Sequence, residues 1–207
     1  MNNTTRHWDK FYENTDRRIS IPSQFAAFVA SEYVDIADTI LDLGCGNGRD
    51  SNYFSSIGFK VLGVDASSAA IHRATSLSGA GAVFIHSSIE NPELAENLKR
   101  QVKGADSIVV YSRFFLHAIP EYLEESFWNL IKDLSGLEAI ALEFRSHKDK
   151  ALKKETAVHF RRFINPVDLI VRANLHGFLC DYFSEGFGMA KYKDDDAHVA
   201  RMLLTRK

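Results

Sequence analysis

Three glycines at alternate positions, Gly44, Gly46 and Gly48, close the apolar run Thr39-Ile40-Leu41-Asp42-Leu43 and make a loop suited to holding a ligand against backbone. Thr39 to Leu43 reads as a buried strand and Arg49 to Ile57 as a helix. The glycines therefore fall in a strand-to-helix turn at the carboxyl edge of a sheet, where open α/β sheets bind ligands. Glycine there permits positive φ and leaves no Cβ in the ligand's path. The spacing is G-x-G-x-G, whereas a dinucleotide fingerprint would need glycine at 49, the position of Arg49. A second apolar run, Lys60 to Val64, ends in Asp65, an acid placed to accept hydrogen bonds from both hydroxyls of a ribose.

With these residues the chain resembles the class I S-adenosylmethionine-dependent methyltransferases, whose first motif is acid-x-Gly-x-Gly-x-Gly and whose second strand ends in a ribose-binding acid. Asp42, Gly44, Gly46, Gly48 and Asp65 match, and the resemblance runs from Thr39 to the C-terminus. It implies an α/β fold: a doubly wound, mainly parallel seven-stranded Rossmann-like sheet with an antiparallel C-terminal hairpin strand. It also implies S-adenosyl-L-methionine as cofactor, S-adenosyl-L-homocysteine as product, and no metal. Ala66 and Tyr111 are assigned to the cofactor side with them. Many members carry an acid near the adenine after strand three; this chain offers Ser88, whose oxygen can bond the adenine amino group.

Methyl transfer from a sulfonium is an in-line displacement that needs an aligned acceptor about 3–3.5 Å from the methyl carbon in a dry site. The acceptor belongs beyond the strand ends, after residues 111 and 144. Tyr111-Ser112-Arg113-Phe114-Phe115-Leu116-His117 places Arg113 and His117 among aromatics. His117 has the intrinsic pKa range of a base for a hydroxyl acceptor; the alternative is a ring packed under the cofactor or capping a turn. In Glu143-Phe144-Arg145-Ser146-His147-Lys148, strand alternation puts Glu143 and Arg145 on one face, so Arg145 is a candidate anion clamp with Glu143 orienting it, or the two form a structural ion pair. His159, Arg161 and Arg162 follow in an aromatic and basic segment before the Asn165-Pro166 helix start. Guanidiniums match phosphate or carboxylate oxygens, so the cluster indicates a negatively charged acceptor.

The phrases Tyr111–His117, Leu142–Arg145 and Gly186–Lys193 resemble those of bacterial methyltransferases associated with surface-polysaccharide or phosphorylated-glycan modification. That resemblance implies O-methylation of a sugar hydroxyl or phosphoryl oxygen on a small or glycan acceptor. The rival readings are a small-molecule N-methyltransferase, a non-catalytic cofactor-binding module, and a NAD-linked reductase, which Arg49 disfavours.

The elements that must position these groups are marked by the chain's own punctuation. Pro22, Pro92, Pro120 and Pro166 each precede a helix-compatible stretch, with Asn91 and Asn165 placed to cap two of them. Strands are expected at 39–43, 60–64, 82–85, 106–111 and 137–144. Helices are expected near 22–34, 48–57, 67–77, 92–102, 120–134 and 166–176, an alternation that implies a parallel doubly wound sheet. Phe178–Phe183 and Val199–Thr205 read as a terminal hairpin whose linker carries Asp194-Asp195-Asp196, a solvated turn rather than a calcium site. Trp8, Phe11 and Tyr12, at i, i+3 and i+4, form an aromatic helix face that suits a lid over residues 1–21, with Tyr12 near the cofactor, or a helix packed on the sheet.

At 207 residues and 45% apolar, one methyltransferase domain over 1–207 is expected, with its Rossmann-like core over 22–207. Twenty-five basic against 27 acidic residues give a net charge of -2 and no global case for nucleic acid. No apolar run approaches a membrane span, so a cytoplasmic monomer or homodimer is expected. Cys45 and Cys180 are too few for a disulfide framework, and Cys45 reads as a small filler of the loop.

Overall fold

In the computed structural model the described residues are 3–13, 21–79, 81–152, 154, 160–192 and 194–207. Five parallel strands, β1 (Thr39–Leu43), β2 (Lys60–Asp65), β3 (Ala82–His86), β4 (Ile108–Arg113) and β5 (Leu137–Arg145), are followed by β6 (Phe178–Gly186). Two-residue β7 (Lys191–Tyr192) and β8 (Asp195–Asp196) pair with each other in the linker before β9 (Val199–Arg206). The seven-stranded sheet has the order β3-β2-β1-β4-β5-β9-β6, with β9 antiparallel to both β5 and β6. The Rossmann-like methyltransferase architecture with an antiparallel end, implied by the motif resemblance, is thus the one observed.

The helices are α1 (Asn3–Glu13), α2 (Gln24–Tyr33), α3 (Arg49–Ser56), α4 (Ser68–Leu77), α5 (Leu94–Gln101), α6 (Glu124–Ile131) and α7 (Pro166–Leu175). Every residue of β1 is buried, as expected of a central strand covered on both faces. Strand alternation divides the core: Leu41, Leu43, Val110 and Ile140 pack with α5, α6 and α7, while Ile40, Val109 and Ala141 pack with α2 and α3. Pro166 is the first residue of α7, behind an Asn165 cap. Pro22 and Pro92 lie just ahead of the cap positions Ser23 and Glu93, and Pro120 precedes a 3-10 turn, Glu121–Leu123, that leads into α6. Proline here ends the approach to each helix more often than it opens the helix itself.

The sheet order reverses between β1 and β4, so the connections leaving their carboxyl ends part and open a crevice at that point. The glycine loop and the Phe114–His117 segment form its two lips.

Candidate active site

A cavity of about 390 Å³ occupies this crevice, a size typical of small-ligand sites. On the β1 side its wall is the glycine loop. Gly46 has φ of 55°, and a Cβ there would collide with the Tyr12 hydroxyl. Gly48, at φ 74°, caps α3 in the left-handed region that non-glycine residues avoid. Asp65 fastens the loop: its Oδ2 accepts the Gly46 amide at 2.9 Å and its Oδ1 the Ser67 amide at 2.8 Å. Burial, followed by the neighbouring Asp9 charge, raises its carboxyl above the usual range despite those two amides.

Asp42 lies behind the loop, 2% exposed, and accepts the Ser51 hydroxyl at 2.6 Å. Burial pushes its pKa to about 8. The Cys45 thiol, also buried, is pushed well above its ordinary range, which disfavours the nucleophilic thiolate.

Helix α1 lies over the loop. Its Trp8, Phe11 and Tyr12 rings stack edgewise or tilted at 5.1–6.2 Å. Asp9 accepts the Ser67 hydroxyl at 2.7 Å and the Ala69 amide, tying α1 to the start of α4. Thr5, His7, Trp8, Phe11 and Tyr12 all line the cavity, so the aromatic helix is its roof.

The opposite lip begins where β4 ends. Phe114 has φ of 58°, a rare conformation for a bulky side chain and a place where backbone strain is stored. Its ring lies 4.3 Å from the Arg113 guanidinium carbon, 5.8 Å from that of Arg145 and 5.0 Å from the His117 ring. Arg113, Glu143 and Arg201 stand in register on β4, β5 and β9. The Glu143 carboxylate accepts Nε of each arginine at 2.7 Å, one per oxygen. Arg145 binds Asp195 through both Nη atoms, at 2.7 and 3.4 Å, and Asp149 at 2.7 Å.

Residues 40–131 match a family profile described as a methyltransferase domain. Over that stretch the chain is similar to a methyltransferase domain, and its fold is that of solved S-adenosylmethionine-dependent methyltransferases. Among solved structures, a SAM-dependent methyltransferase from Anabaena variabilis superposes with a TM-score of 0.74 at 18% identity, covering 100% of this chain and 96% of that one. The magnesium protoporphyrin IX methyltransferase of Synechocystis, with bound SAM, gives 0.65 at 16% over 100% and 99%. The 1,6-didemethyltoxoflavin-N1-methyltransferase of Burkholderia thailandensis gives 0.68 at 16% over 98% and 87%. No curated protein matches by sequence.

In this fold Asp42, Gly44, Gly46, Asp65, Ala66, Ser88, Tyr12 and Tyr111 converge on the cavity, together with Arg113, His117, Arg145 and Arg161. Gly48 supports the wall from behind, packed against Phe84 and Ala74. Arg162 turns away from the cavity to the buried Glu124, which also takes Arg172. His159 lies outside the described residues. The expected Glu143–Arg145 pairing is replaced by two separate networks: alternation aligned the two side chains, but Glu143 meets its cross-strand neighbours, and Arg145 meets Asp149 one turn on and Asp195 across the linker.

The Asp195 of the acidic triplet is therefore no solvated turn residue; it is 5% exposed. Sequence reasoning also passed over Asp50, whose carboxylate binds the Ser23 amide, the Ser23 hydroxyl and the Tyr111 hydroxyl at 2.7–2.8 Å. Burial opposes its charge, but Arg49 and Arg113 hold its carboxyl below the usual range. An acid in the first turn of α3, beside Arg49, was the available signal.

Proposed function

We propose that this methyltransferase takes S-adenosylmethionine between the glycine loop and α1 and methylates an oxygen of a small anionic acceptor held on the Arg113 side of the cavity. The observation that carries the proposal is one cavity with two unlike ends: a backbone-walled end closed by Asp65, and an end lined by Arg113, Arg145, Arg161 and His117.

The donor end fits an adenosyl sulfonium. Gly46 leaves the room that a Cβ would fill. Each Asp65 oxygen spends one lone pair on a backbone amide and keeps another for a ribose hydroxyl. Ile89, Phe115, Ile119 and Leu123 offer an apolar shelf for the adenine, with Ser88 at its rim. Bound there, S-adenosylmethionine supplies an electrophilic methyl group. The chain itself has to align the acceptor and keep water out, for which the α1 roof and Phe114 are suited.

At the acceptor end, Arg113 spends Nε on Glu143 and lines the cavity with its side chain 18% exposed. Arg161 also lines the cavity; burial, then the Arg145 charge, lowers its pKa, so an incoming anion would be stabilised beside it. Arg145 adds charge, but its fork is already occupied. The anion clamp is accordingly assigned first to Arg113, with Arg161 adding positive charge to the same lining. A sugar phosphate or a related glycan precursor suits this end. The roof disfavours a long polymer. Cations facing the acceptor disfavour a protonated amine.

Methyl-labelled S-adenosylmethionine incubated with sugar phosphates, nucleotide sugars, small carboxylic acids and amines tests this by mass spectrometry. The expected product is an anionic probe carrying one added methyl, with Arg113→Ala raising acceptor KM at least tenfold and leaving donor affinity intact. Methylation of the amines alone would overturn the acceptor assignment.

A further inference from the structure

We infer that Phe114 is a positioning residue for the acceptor clamp: its ring, folded back by a strained backbone turn, holds the Arg113 guanidinium ready for an anionic acceptor group. This rests on the proposed acceptor site and names the residue that shapes it. Arg113 is the last residue of β4, and in an extended strand the next side chain points to the opposite face of the sheet. Phe114 breaks that alternation with φ of 58°, the one positive φ outside glycine among the described residues. Its ring comes back over Arg113, 4.3 Å from the guanidinium carbon, and both residues line the cavity.

Core packing does not account for this side chain. Phe115 packs on the core through Phe127, whereas Phe114 belongs to neither core cluster. Glycine would take the conformation without strain, so a bulky residue here is kept for what its ring meets. What it meets is charge: the Arg113 and Arg145 guanidinium carbons lie 4.3 and 5.8 Å from its centroid, both within reach of a cation–π attraction. The turn is fixed at both ends. The Phe114 amide donates to the Glu143 carbonyl at 2.8 Å, and the Ala118 amide donates to the Phe115 carbonyl at 2.8 Å. Glu143 therefore acts on Arg113 twice, through its carboxylate on Nε at 2.7 Å and through the carbonyl that holds the Phe114 turn. That carboxylate is shared with Arg201, so the three side chains keep one net positive charge. An aromatic face attracts a guanidinium without neutralising it, and Arg113 is thus oriented with its charge kept for an anion.

Inorganic phosphate titrated into the folded protein tests this without any methyl transfer. Binding is read at the Arg113 Nε–H signal in nitrogen-15 NMR, assigned by its loss in Arg113→Lys, and phosphate should move that signal in the wild type. Phe114→Leu keeps bulk but removes the aromatic face. It should shift the signal before any phosphate is added and weaken phosphate binding about fivefold or more, while Phe114→Tyr should bind within about twofold of wild type. Phe114→Gly, which removes ring and strain together, should unfold at a higher urea concentration than Phe114→Leu and still bind as weakly. A smaller loss in Phe114→Leu, or a Phe114→Tyr as weak as it, overturns the inference; the reverse order of stability overturns the strain behind it. Calorimetry with S-adenosylhomocysteine should give the wild-type affinity in all three variants. Donor binding with no phosphate effect on the wild-type Arg113 signal would instead overturn the acceptor reading on which the inference rests.

Discussion

Asp42 shows at the scale of one residue how the loop's chemistry is set by burial. Its carboxyl titrates near 8, whereas in the unfolded chain it titrates near 3.9. Between about pH 4 and pH 8 the folded protein therefore holds a proton that the unfolded chain has released, and this group makes stability fall as pH rises through that window. Asp42→Asn removes the penalty while its amide oxygen still accepts the Ser51 hydroxyl. Urea unfolding at a series of pH values should show a flatter slope for the variant, by up to about 1.4 kcal/mol per pH unit. Gly46→Ala tests the loop in front of Asp42. Its Cβ would strike the Tyr12 hydroxyl at a backbone angle that side chains rarely adopt, so S-adenosylhomocysteine affinity should fall at least tenfold, and Tyr12→Ala in the same chain should restore part of it. Asp42, Asp65 and the glycines were legible in the sequence because the loop's function is written in local spacing. The partners of Arg145 were not, since Asp195 is 50 residues away and nothing in a three-aspartate run says which carboxylate turns inward.

At the scale of elements, the crevice depends on how α2 and α3 begin. Ser23 accepts the Ala26 amide as the cap of α2 and donates to Asp50 in the first turn of α3, while Tyr111 on β4 donates to the same carboxylate. One hydroxyl thus joins two helix starts to a central strand next to the ligand loop. Ser23→Ala should cost about 1–2 kcal/mol, as the loss of a cap and a charge-assisted hydrogen bond would, measured as a lower midpoint in urea with an unchanged slope. The strands and most helices could be read from apolar runs and proline punctuation, because both report short-range preferences. The split of 120–134 into a 3-10 turn and α6 could not, since it follows from the packing of Tyr111–Leu123 around the cavity.

The whole molecule closes the Arg113 end of the cavity by bringing the linker between β6 and β9 back onto β5. Asp195 clamps Arg145, Asp149 accepts the His198 amide at 2.9 Å and a Lys154 ion pair at 3.0 Å, and β9 contributes Arg201 to Glu143. Asp195→Ala leaves Arg145 with Asp149 alone. The expected loss is about 2–3 kcal/mol, below the roughly 3–5 of a buried pair broken outright, with faster hydrogen exchange in residues 187–198. The hairpin was visible as two strand-like segments; its role as the outer wall of the site was not, because that depends on β9 inserting between β5 and β6. The donor half of the proposed site is thus a local motif and the acceptor half an assembly of distant segments. Both halves depend on the cavity between the glycine loop and α1 acting as the donor site. Isothermal titration of the protein with S-adenosylhomocysteine measures this directly. Saturable binding at one site per chain, weakened at least tenfold by Asp65→Ala, is the predicted result; absence of binding by the folded protein, or binding indifferent to Asp65, would contradict it.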